Sequence, residues 1–153
     1  MTGKRSLVVS VAFLLAILVI VPAGVGSGQQ EEAAFVVVVN NANPVSSLST
    51  SELSKLFMKR MSTWIDGRPA EPVDLPAESP VREEFSQVVH GKSALAIAAY
   101  WRHQIFAGRG APPAQRETEV EVLELVRRNV NAVGYVSAGA TLDGSVKVLA
   151  LSP

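Results

Sequence analysis

Ser79-Pro80-Val81-Arg82, within "LPAESPVREEF", is the stretch whose residue types point most directly to chemistry. Ser79 reads as a helix cap and Pro80 as a first-turn proline, which has no N–H to leave unpaired. The backbone N–H groups of Val81 and Arg82 then stand at a helix N-terminus, where unpaired donors and the helix dipole favour an anion. Ser79 adds a hydroxyl, and Arg82 a planar guanidinium able to pair with two oxygens. A second reading of the same residues stays open: Ser79 caps its own helix, and Arg82 pairs with Glu78 or Glu83.

Other reactive residue types lack a partner at useful spacing. Arg109 lies between Gly108 and Gly110 in "AGRGAPP", which lets a ligand approach the backbone but equally reads as a turn after a helix. In "YWRHQIF", Trp101 and Ile105 are four apart and are expected in the core, with His103 facing solvent. Serine, histidine and aspartate occur without a nucleophile elbow, and the adjacent Glu83 and Glu84 diverge around a helix. A hydrolase is thus the weakest function class, and the sequence reads as non-enzymatic. His90 and His103 are isolated and cysteine is absent, so neither a zinc site nor a disulfide is expected, and no cofactor is called for.

Composition sets the compartment and excludes one class of partner. The 153 residues hold 14 basic and 14 acidic side chains. Lys4-Arg5, the apolar run "SLVVSVAFLLAILVIVPAGVGSG" and its small-residue end read as a secretory signal peptide over residues 1–28. The run from Leu7 to Val25 is also nearly long enough to span a bilayer, so a retained anchor stands as the alternative and as the only membrane contact. Removing Lys4 and Arg5 leaves 12 basic against 14 acidic residues, which argues against nucleic acid.

The elements that must position these groups follow from periodicity. Residues 29–34 form a polar linker, and a domain is expected over 35–153. "FVVVV" from Phe35 is apolar on both faces, as in a strand covered on both sides. Ser49 and Glu52 form a capping box ahead of a helix that buries Leu53, Leu56, Phe57 and Met61. "TWIDGRP" turns at Asp66-Gly67, and "AEPVDLP" is short and extended. Ser79 opens a helix with Val81, Phe85, Val88 and Val89 on one stripe and Gly91 as its stop. Ser93 caps a helix through Phe106, and another runs from about Thr118 to Asn129. "AVGYVS" and "SVKVLAL" read as two strands joined by an Asp143-Gly144 hairpin turn. This order fits a single α/β layer structure.

Several segments together resemble the periplasmic phosphate-binding proteins of phosphate-specific ABC transporters. They are "LSKLFMKRMSTWIDGRPAEPVDLP", the strand "NAVGYV" and the entry segment "VVVVNNANPVSSLS". The resemblance covers Phe35 to Leu151 and implies one lobe of a type II periplasmic-binding-protein-like fold, a mixed sheet flanked by helices. It also implies periplasmic or secreted location and phosphate or a similar oxyanion as ligand. The family's R-x-D-G-S-G-T-S loop falls on this chain with its arginine at Leu75, its serine at Ser79, its second glycine at Pro80 and its threonine at Val81. Only Ser79 carries over, so Ser79, Val81 and Arg82 are the expected anion ligands. The altered loop leaves a competing expectation, a ligand-free module docking onto an envelope transporter, porin or sensor.

Overall fold

The computed structural model describes residues 34–153, so the expected signal peptide or anchor lies outside the described residues. β1 (Phe35–Asn40) is the β-branched run, and it lies inside the sheet. β5 (Ala132–Ser137) pairs antiparallel to one side of β1, with Val38 opposite Gly134, and β6 (Val146–Val148) pairs antiparallel to the other. β3 (Glu71–Asp74) runs parallel to β5 and carries the two-residue β4 (Ala114–Gln115) on its outer side, giving the order β4-β3-β5-β1-β6. Pro72 supplies no N–H, and β3 pairs through only two residues on each side.

Helices cover both faces of this sheet. α1 (Thr50–Phe57) starts at the Ser49–Glu52 capping box, and α2 (Pro80–His90) starts at Ser79 and stops at left-handed Gly91. α3 (Ala94–Phe106) follows from Ser93, and α4 (Glu119–Arg128) starts from a Thr118–Glu121 capping box. Successive strand residues face opposite sides, and β5 shows both. The Tyr135 ring stacks on Phe85 of α2 at 3.9 Å between centroids, with Phe57 of α1 beside it. Its neighbour Gly134 faces α4, where a Cβ would lie 2.5 Å from Val122 Cγ1.

Four sequence expectations change. Asp143-Gly144 is not a hairpin turn, because β1 lies between β5 and β6, which run parallel to each other, so the connection returns from the Phe35 end of β1 to its Asn40 end. "SVKVLAL" divides at buried Leu149 into β6 and β7 (Ala150–Ser152), the latter pairing parallel with β2 (Ser47–Ser49) in a separate two-stranded sheet. On α2 the buried stripe is Arg82, Phe85, Ser86 and Val89, leaving Val88 49% exposed. On α3 only Ala94, Ile97 and Trp101 are buried. Ile105, expected in the core, is 53% exposed, because α3 packs on α2 rather than on the sheet and only one narrow stripe is covered.

The Gly134 contact gives a direct test of helix–sheet packing. Gly134→Ala forces the Val122 methyl aside, and a β-branched side chain in a helix has little rotamer freedom. A loss of about 1–3 kcal/mol is expected in denaturant unfolding. In Gly134→Ala/Val122→Ala the two losses should sum to less than their separate values. Additive losses would place the cost of the alanine elsewhere.

Candidate functional site

The expected site forms where β3 gives way to α2. The chain turns through Pro76, whose carbonyl accepts from the Ser79 N–H at 2.9 Å, and Ser79 then adopts the extended cap conformation. Ser79 Oγ accepts from the Arg82 N–H at 3.4 Å, and the Ser79 carbonyl accepts from Glu83 at 3.0 Å. The Val81 N–H has no hydrogen-bond partner among the described residues. Ser79, Val81 and Arg82 are therefore together in one first turn.

Arg82 does not point its charge outward. It is 5% exposed, and its Nη2 lies 2.9 Å from Asp74 Oδ2 at the end of β3. Its Nη1 donates to the Leu75 carbonyl. The pairing alternative thus holds in kind, with Asp74 in place of Glu78 or Glu83. The physical reason is position: Arg82 occupies the inward stripe of α2, three residues before Phe85, so its side chain meets the strand end.

Asp74 is held by more than the arginine. Its Oδ1 accepts from the Tyr135 hydroxyl and from the Leu75 N–H, the latter at 3.0 Å. Burial pushes the Asp74 carboxyl up, while Arg82, Tyr135 and the Leu75 N–H oppose that shift. The Tyr135 hydroxyl is pushed well above the ordinary phenol range by burial and by the neighbouring carboxylate. The result is a satisfied polar network linking β3, β5 and α2, roofed by the Phe85–Tyr135 stack. Sequence reasoning missed Asp74 and Tyr135, since an aspartate in "PVDLP" and an arginine eight residues later share no local spacing rule.

Outside this network a hollow of about 330 Å³ opens between the start of α2 and α3. Arg82 borders it together with Glu78, Trp101, Arg102 and Gln115. A guanidinium carries five N–H donors, of which Asp74 and Leu75 each take one. Glu78 in the same wall opposes an anion. At the other end of α2, His90 Nδ1 lies 2.9 Å from Ser54 Oγ on α1, and the ring stands edge-on to Phe85. Burial, followed by the positive charge of Arg82, pushes the His90 pKa down to about 4.

Among the described residues there is no group of three or more potential metal-ligating side chains, and no helix is long and apolar enough to cross a membrane. The Asp66-Gly67 turn folds back so that Trp64 Nε1 donates to the Asn131 carbonyl at 3.1 Å, which fixes this loop against the start of β5. Arg109 lies in an exposed turn, with Gly108 and Gly110 both at positive φ.

His90 sets a pH dependence. Its folded pKa lies below the unfolded value of 6.5, so the unfolded chain binds more protons between these values. Its contribution to stability is complete above pH 6.5 and is lost as pH falls toward 4. The carboxylates held low by hydrogen bonds, Glu52 and Glu83, have unfolded values of 4.5, so they act below this window. Asp74, pushed up by burial, acts in the opposite sense in both proteins, so as pH is lowered from 6.5 to 4.5 the unfolding midpoint of His90→Phe should rise relative to that of the parent. Parallel slopes in the two proteins would refute the assignment.

No family model matches the sequence, and no curated protein does. Solved structures do match. A structure described as a phosphate ABC transporter substrate-binding protein from Clostridium perfringens, with bound phosphate, superposes at TM-score 0.61 with 19% identity over 77% of this chain. An ABC-type phosphate transport receptor from Vibrio cholerae gives 0.59 with 24% identity over the same share. The matches cover 44% and 46% of those two chains, so this chain spans less than half the length of the structures it resembles. The resemblance read from the sequence holds at the level of the fold: this chain has the mixed α/β fold of one lobe of the phosphate-transport substrate-binding proteins.

Proposed function

We propose that the protein is an exported solute-binding-type lobe that takes phosphate or a related oxyanion at the first turn of α2, in connection with phosphate transport and without covalent chemistry. The observation that carries this reading is the unpartnered Val81 N–H at a capped helix start. The Ser79 hydroxyl, whose proton is free to donate, belongs to the same turn, and Arg82 keeps donors beyond those taken by Asp74 and Leu75. The fold shared with a phosphate-bound structure supports the choice of ligand. The expected affinity is weak. Asp74 already neutralises Arg82, Pro80 supplies no N–H, and a one-sided contact competes with water and salt. Tight capture would need a second surface closing over the ion.

One observation favours a second reading, in which the lobe keeps the fold and docks onto an envelope transporter, porin or sensor. The charge of Arg82 is satisfied internally, while Leu95, Ile105 and Phe106 of α3 are 63%, 53% and 91% exposed. A single titration separates the two. In ¹⁵N spectra at constant ionic strength, phosphate should move the Val81 and Arg82 amides saturably in the millimolar range, with chloride leaving them in place. Uniform, non-saturating shifts would sink the phosphate reading and leave the docking one.

A further inference from the structure

A second hollow, of about 420 Å³, lies on the other side of Trp101, between the segment after α1 and the turn after α3. Its wall carries Lys59, Arg60 and Arg109 and no carboxylate. Among the described residues none of these three cations forms an ion pair. A chain with equal numbers of basic and acidic residues does not gather three unpaired cations in one place through composition alone.

The backbone holds the two arms in place. The Arg60 N–H donates to the Lys55 carbonyl at 2.8 Å, and Lys59 takes a left-handed φ of 54°, which is uncommon for a residue other than glycine. On the facing arm, the Arg109 N–H donates to the Gln104 carbonyl at 2.9 Å, flanked by two glycines at positive φ. A cation just past a helix C-terminus is favourable there by itself, which accounts for each arm singly. It does not account for two such ends meeting at one hollow without an acid between them.

Trp101 supplies a further, independent observation. It is 6% exposed and stands between this hollow and the one beside Arg82, lining both, yet its indole N–H is enclosed and has no acceptor. A buried donor without a partner is costly, and native folds leave few of them. The chain's other tryptophan, Trp64, has its N–H satisfied by Asn131. Tyr100, packed edge-on against Trp101, and Met58 add apolar surface beside the charges.

We infer that this hollow is a binding site for a compact organic dianion, such as a phosphate monoester, held by Lys59, Arg60 and Arg109 with its organic part against Tyr100 and Trp101. Planar guanidinium forks match the paired oxygens of such a group, and the volume suits a small molecule. The site is separate from the α2 corner and does not depend on that reading.

Phenyl phosphate is a suitable probe, with uncharged phenol at equal concentration as control. In ¹⁵N spectra the Trp101 indole N–H should shift saturably with phenyl phosphate and stay in place with phenol, while the Trp64 indole stays in place with both. Lys59→Gln/Arg109→Gln changes two exposed side chains and should weaken binding by about tenfold or more, since hydrogen bonds to charged groups contribute about 1.5–3 kcal/mol each. The inference is overturned if the Trp101 indole does not move, if phenol moves it equally, or if the double variant binds as the parent does. Movement of the Val81 amide alone would also overturn it, while supporting the separate corner at α2.

Discussion

The buried pair between Arg82 and Asp74 is the constraint on which the rest of this lobe depends. Removing two opposite charges from water costs several kcal/mol per ion, and only close geometry with further hydrogen bonds offsets it. Both are present: a 2.9 Å contact, the Leu75 carbonyl on the arginine, and the Tyr135 hydroxyl with the Leu75 N–H on the aspartate. The same bonds fasten the end of β3 to β5 and to the first turn of α2. That turn cannot move away from the sheet without exposing an unpaired charge to an apolar surrounding. Its placement is therefore rigid, whatever approaches it from outside.

This rigidity shapes the electrostatics in two opposing ways. A helix N-terminus held firmly at the edge of a sheet is a preorganised set of donors, the arrangement a binding lobe needs. The carboxylate that secures it also cancels the nearest positive charge, so the corner keeps dipolar donors but little net field. Pro80 adds no N–H and Val81 no hydroxyl to that turn, which weakens it in the same direction. The unbalanced positive charge is found elsewhere, around Lys59 and Arg109, on the far side of Trp101. The fold thus separates a neutralised corner at the start of α2 from a charged one beside Trp101.

Much of this was legible in the sequence because local signals decide it. Both capping boxes, the Ser79 and Ser93 caps, the Gly91 stop and the β-branched β1 follow from nearest-neighbour chemistry, and all but the Thr118–Glu121 box were read in place. What could not be read depends on residues far apart in the chain. Asp143-Gly144 has hairpin chemistry, but β1 already occupies the place between its two strands. Ile105 has core chemistry, but α3 has only α2 beneath it. Arg82 reads from sequence as an anion ligand or as a partner of Glu78 or Glu83. Its partner was hidden because Asp74 reaches it only once β3 and α2 have packed, and the gathering of Lys59 with Arg109 needs the turns after α1 and α3 to meet at one hollow.

The central claim is that Arg82 serves the interior as the counter-ion of Asp74. A double-mutant cycle on unfolding free energy, with Arg82→Met and Asp74→Asn, tests it most directly. Arg82→Met should cost about 3–5 kcal/mol by leaving a buried carboxylate unpaired, and the double variant should lose distinctly less than the sum of the two single variants. A near-neutral Arg82→Met, or two losses that simply add, would show that the arginine is not coupled to Asp74 and would contradict the account.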